Sequence, residues 1–159
     1  MITWVPLYTA VAIVDLAVII LSKFFPLTKA LGTWYREFGV VAVAQDILII
    51  MLGIALVKFL FPAATGWLLA ALAIGVQILH DVLFYVGVIQ QVPWGQNKVI
   101  DLFKAYAAEG SWKIIVADSA MIGSSALLME ALDNNLTDDQ IGFVGLLVTY
   151  ALSYIIYTK

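Results

Sequence analysis

Four aspartates, Asp15, Asp46, Asp81 and Asp118, each fall inside a separate long apolar run, and the only histidine, His80, adjoins one of them. Carboxylates hold hard cations and imidazole exchanges protons near neutral pH, so these side chains inside apolar runs point to proton or cation chemistry. At ~1.5 Å of rise per helical residue, each carboxylate lies roughly 8 to 12 Å from one and the same end of the runs. Successive runs alternate in direction, so this common depth does not follow from spacing alone. It defines one layer, with Gln45, Gln77, Ser119, Tyr150 and Tyr154 in or near it. Gln77, Asp81 and Tyr85 recur at i, i+4 and i+8, which places them on one helix face, read as the inward one.

An aspartate at the centre of a membrane span costs about 2.5 to 3.5 kcal/mol, and four sum to roughly 10 to 14 kcal/mol. The side chains must therefore face each other, a partner or water. Two carboxylates in contact at low dielectric cannot both stay ionised, so some should hold or share a proton, or bind a cation such as Na, K, Mg or Ca. His80 is the one side chain in the layer able to supply a compensating positive charge, although it projects about 100° round the helix from Asp81. Interhelical hydrogen bonding, worth roughly 0.6 to 2 kcal/mol per contact, is the competing use of such residues. Small residues at Ala71 and Gly75, Ser119 and Gly123, and Gly142 and Gly145 fit close helix packing. Four carboxylates in one layer with a histidine tip the balance towards an ion- or proton-binding site. The expected function is membrane transport or ion handling; the alternative is a non-catalytic scaffold whose polar layer is packing glue.

The elements that must position these residues follow from composition. Of 159 residues, 64% are hydrophobic and 12% charged, with a mean hydropathy of +1.02, against roughly 25% charged in a soluble domain. An all-α, polytopic bundle in a single transmembrane domain is expected, its bilayer-crossing helices needing about 20 apolar residues each. Five spans are read at residues 4–22, 38–61, 66–89, 113–132 and 139–157. Pro62 and Pro93 stop the helices before them, and Thr137 with Gln140 forms a capping-box pattern ahead of the last span. With five spans, Lys23, Lys29, Arg36, Lys98, Lys104, Lys113 and Lys159 share one face and Lys58 alone takes the other. The positive-inside rule then sets the N-terminus outside and the C-terminus inside. Between the third and fourth spans, residues 97–109 pattern as a short amphipathic helix, with Val99, Leu102, Phe103 and Tyr106 on its apolar side. It either lies on the inner membrane surface, where a protein partner could meet it, or packs on the protein's own loops. The stretch from 23 to 37, with Phe24-Phe25-Pro26 and Trp34-Tyr35, is placed at the same interface.

One histidine and no cysteine argue against a zinc enzyme, and no Gly-x-Ser-x-Gly elbow is present. Lys58, near the far end of its helix, cannot serve a retinal-type Schiff base in the layer. No basic tract suggests nucleic acid. The short repeats around Asp15, Asp46 and Asp81 match in too few letters for duplication to be the stronger reading. From Gln77 to Ser125, His80-Asp81-x-x-Phe84, Pro93-x-Gly95-x-Asn97, Phe103-Lys104-x-Tyr106-x-x-Glu109 and Asp118-Ser119-x-Met121 resemble small polytopic membrane proteins of large DNA viruses of algae and protists. The resemblance covers about a third of the chain. It implies a viral or host endomembrane setting and no activity. Separately, five spans of one chain make a small pathway, which points to a homo-oligomer.

Overall fold

A computed structural model describes residues 2–25 and 28–158. Among these, the chain forms seven α-helices and no strand: α1 (Trp4–Phe24), α2 (Lys29–Phe38), α3 (Val40–Leu60), α4 (Gly66–Phe84), α5 (Lys98–Gly110), α6 (Trp112–Asn135) and α7 (Asp138–Ile155). A π-helical turn over Tyr85–Ile89 extends α4. Four elements are long and apolar enough to cross a membrane: α1, α3, α4 with its π turn, and α6. The first turn of α7 carries Asp138 and Asp139, and Gln140 follows. Both halves of its capping box are made, Thr137 N donating to Gln140 Oε1 at 3.0 Å and Gln140 N to Thr137 Oγ1 at 3.4 Å.

The two short helices have local causes. The Asn97 side chain accepts from Val99 N at 2.9 Å and Ile100 N at 3.2 Å, which opens α5 where the sequence pattern placed a cap. Thr28 does the same for α2, accepting from Leu31 N at 3.0 Å. Pro26 and Lys159 lie outside the described residues. The α5 helix packs on α2, the π turn and α6, and Ile100 is buried. Glu109 of α5 also accepts from the backbone amides of Lys29 and Ala30, at 2.9 and 3.1 Å. A carboxylate at the positive end of a helix is favourable, so this contact fastens α2 to α5.

The four carboxylate-bearing helices close into a ring. α1 packs on α3 and α6, α4 packs on α3 and α6, and α3 meets α6 across the middle. The fit is close where α4 meets α6: a Cβ on Gly123 would stand 3.0 Å from Ile74 Cδ1. Gly75 has nothing within 4 Å of its Cβ direction, so of the paired small residues Ala71 and Gly75 do not mark a helix contact here. α7 lies outside the ring, seated chiefly on α1, with Gly145 directly against Thr9. In one half of the ring Leu7, Val11, Ile54, Val57, Leu69, Ile122 and Ala126 are buried and make a continuous apolar plug. The other half holds the aspartates and is covered by α2 and α5. Lys23, at this covered end, donates to the carbonyl of Thr158 and ties the last turn of α1 to the end of α7. Lys58, at the opposite end, donates to Ala64 O at 2.8 Å.

The ring has an internal order. From α1 to α3 and again from α4 to α6, a long apolar helix leads to a short amphipathic one, then a single residue of positive φ, then a second long helix. The junction residues have nearly the same backbone angles, φ 53° and ψ −125° at Gly39, φ 49° and ψ −132° at Ser111. Asp46 and Asp118 each follow their junction by the same number of residues. Two parallel halves arranged in this way match the internal repeats found in many membrane proteins. The backbone carries this likeness further than the side chains, which differ at most equivalent positions.

Candidate functional site

Each wall of the covered half supplies one carboxylate: α1 Asp15, α3 Asp46, α4 Asp81 and α6 Asp118. They do not merge into one contact. They form a series in which Asp15 lies within electrostatic reach of Asp46, Asp46 of Asp118, and Asp118 of Asp81. Among the described residues no three His, Asp or Glu side chains are grouped closely enough to hold one metal ion.

The environments of the four differ. The Asp15 side chain is fully buried, and neither of its oxygens has a hydrogen-bond partner among the described residues. Asp46, half-buried at the other side of the layer, receives the Trp34 indole N–H, with 3.3 Å to each carboxylate oxygen. The Tyr35 hydroxyl lies beside the same carboxylate. Asp81 Oδ1 accepts from Gln77 Nε2 at 2.7 Å and meets His80 Nδ1 at 3.2 Å, while Asp81 Oδ2 is buried without a partner. His80 therefore turns back onto its neighbour despite the helical offset between them. It is the most accessible member of the series, its side chain 39% exposed against 18% for Asp81. Asp118 is half-buried, with the Tyr106 side chain of α5 nearby.

Above this layer, α2 and α5 contribute a floor of aromatic rings. Trp34 packs between Phe38 and Phe103, at centroid distances of 4.9 and 5.0 Å. Phe103 meets Phe84 edge-on at 6.2 Å, and Phe84 stacks on the His80 ring at 5.6 Å. The rings thus run from the Asp46 donor to the Asp81 partner. Burial, and then the nearby Asp46 and Asp15 carboxyls, push the Tyr35 hydroxyl well above the usual tyrosine range. Burial, followed by Asp118, Asp46 and Asp81, does the same to Tyr106. Both phenols therefore stay protonated at physiological pH and can donate to the layer.

The remaining residues expected in the layer are placed elsewhere. Tyr150 and Tyr154 are 64% and 59% exposed on the outer face of α7 and hydrogen-bond to each other at 3.1 Å. Gln45 points outwards from α3, and Ser119 is half-buried and makes no hydrogen bond to a carboxylate among the described residues. Gln77 is buried as its face predicts, but Tyr85 begins the π turn and is exposed. Widening to π geometry breaks the i, i+4, i+8 register that linked the two.

Trp34, Tyr35 and Tyr106 are the site residues that sequence reasoning missed. It took the first two as interfacial belt aromatics, which would leave them exposed, whereas they are 4% and 8% exposed. The missed signal is the amphipathic pattern of residues 29–38. Lys29, Arg36 and Glu37 take the outer side of that helix, which turns Ala30, Trp34 and Tyr35 inwards. Tyr106 lay on the recognised apolar side of residues 97–109, where its hydroxyl passed as incidental. No family model, curated protein or solved structure matches the chain, so no family is shown.

Proposed function

We propose that this protein handles protons across a membrane, using the series His80, Asp81, Asp118, Asp46 and Asp15 as proton-exchanging sites in one half of the bundle. The observation that carries this reading is Asp15. A carboxyl group placed only to glue helices together makes hydrogen bonds, because an unpartnered buried polar group costs about 1 to 3 kcal/mol. Asp15 is wholly buried with both oxygens unpartnered among the described residues, a cost that a purely structural role does not repay. The accessible His80 offers an entry, and the apolar plug closes the opposite half in the conformation described. In this reading α7 is a fifth crossing and the basic end faces the cytoplasm, with the N-terminus outside.

A scaffold is the second reading, favoured by the bonds of Asp46 to Trp34 and of Asp81 to Gln77. The two are separated by proton flux into liposomes containing a pH-sensitive dye. Flux that is present in the native chain and lost in Asp15→Asn, Asp81→Asn and Asp118→Asn is expected. Absence of flux in the folded native chain, or flux unchanged in all three variants, refutes proton handling.

A further inference from the structure

Where α4 ends, its π turn and the following loop border an open cleft of about 580 Å³, whose polar lining is Tyr85, Gln90, Gln91, Trp94 and Lys104. Every polar side chain in that lining can donate a hydrogen bond, and none is acidic. Lys104 is half-buried, donates to the Val92 carbonyl, and sits 5.2 Å from the centre of the Trp94 ring. Its ammonium carries three donors, so these two contacts leave it able to bind an anion. Asp101, three residues before Lys104 on α5, accepts from the Gly95 amide at 3.0 Å and makes no ion pair with Lys104 among the described residues. The cleft is at the end of the bundle where Lys23, Lys29, Arg36, Lys98, Lys104 and Lys113 outnumber Glu37, Asp101 and Glu109 of the covering helices, a balance that favours negative charge.

Its surroundings narrow the anion to one class. Trp94 is 67% exposed, and an indole beside a lysine at the end of an apolar helix suits the headgroup depth of a bilayer. Directly beyond the cleft, Leu79, Val82, Leu83 and Val86 form an exposed apolar track along α4 and the π turn, the least covered of the four long helices. We infer that this cleft binds the phosphate-bearing headgroup of an anionic phospholipid, with Lys104 and Trp94 as its recognition residues and the acyl chains laid along α4. The inference rests on the bundle lying in a membrane and is independent of proton handling.

The test is lipid retention by the full chain in nanodiscs of mixed phosphatidylglycerol and phosphatidylcholine, read by native mass spectrometry. The native chain should retain phosphatidylglycerol preferentially, and Lys104→Gln should weaken retention about fivefold, the effect of one basic residue near a membrane surface. Lys104→Arg should restore it, and Trp94→Leu should reduce it. Lys98→Gln, which removes an exposed charge on the same helix outside the cleft, should leave it intact. Equal retention of both lipids, or an equal loss in Lys98→Gln, overturns the inference in favour of diffuse attraction. Displacement of the lipid by millimolar inorganic phosphate overturns the lipid assignment in favour of a free-anion site.

Discussion

Replacing Trp34 by phenylalanine isolates the donor that α2 extends to Asp46. The ring remains, and with it the packing on Phe38 and Phe103, while the indole N–H is lost. The two N···O distances of 3.3 Å lie beyond the usual 2.7 to 3.2 Å range, so the bond is shared and weak at each oxygen. Hydrogen bonds between membrane helices average about 0.6 kcal/mol and reach about 1.7 kcal/mol. Burial of the indole and sharing of both oxygens place this one near the middle, at about 1 kcal/mol. Trp34→Ala removes the packing as well and should cost about 3 to 5 kcal/mol. The assay is reversible unfolding in mixed micelles by SDS titration, run as a double-mutant cycle with Asp46→Ala. A coupling of about 1 kcal/mol between Trp34→Phe and Asp46→Ala is expected. Zero coupling, or a phenylalanine variant as stable as the native chain, would show that Trp34 acts by filling space alone.

Two further predictions concern how the layer is held. Gly123→Leu forces side-chain atoms into Ile74 at the α4–α6 contact and should destabilise by about 1 to 3 kcal/mol, whereas Gly75→Leu, on the open side of α4, should stay within about 0.5 kcal/mol in the same titration. Glu109→Ala removes the carboxylate from the first amides of α2 and should cost about 0.5 to 2 kcal/mol. Faster hydrogen exchange should appear across residues 29–38, with part of the protection regained in Glu109→Gln.

The long helices were legible because hydropathy alone decides them, and the punctuation at Pro62, Asn97 and Thr137 marks where they begin or end. The common depth expected of the four aspartates uses only helical rise and alternating direction, and the electrostatic reach of Asp15 to Asp46 and of Asp118 to Asp46 and Asp81 is consistent with it. Which atoms touch was not. The i, i+4, i+8 pattern carries Tyr85 inwards, but the end of α4 widens into a π turn before Pro93, and no residue type announces it. His80 and Asp81 diverge by helical geometry, yet a flexible imidazole reaches back across that angle. Trp34 could be a belt residue or a buried donor, and only the packing of α2 against α5 decides between them.

The two junctions at Gly39 and Ser111 share one backbone geometry but not one energy. Glycine enters the positive-φ region freely, whereas a serine held there stores strain on the order of 1 to 3 kcal/mol. At Gly39 the Tyr157 hydroxyl occupies the space a side chain would need, standing 2.7 Å from where a Cβ would be. The α2 lid is thus wedged in place by the end of α7, a helix that contributes no carboxylate to the layer. The α5 cover carries its strain at Ser111 and is joined to α2 by Glu109 and Phe103. The near-repeat of the backbone thus conceals an asymmetry, strain at one junction and a close approach of Tyr157 at the other.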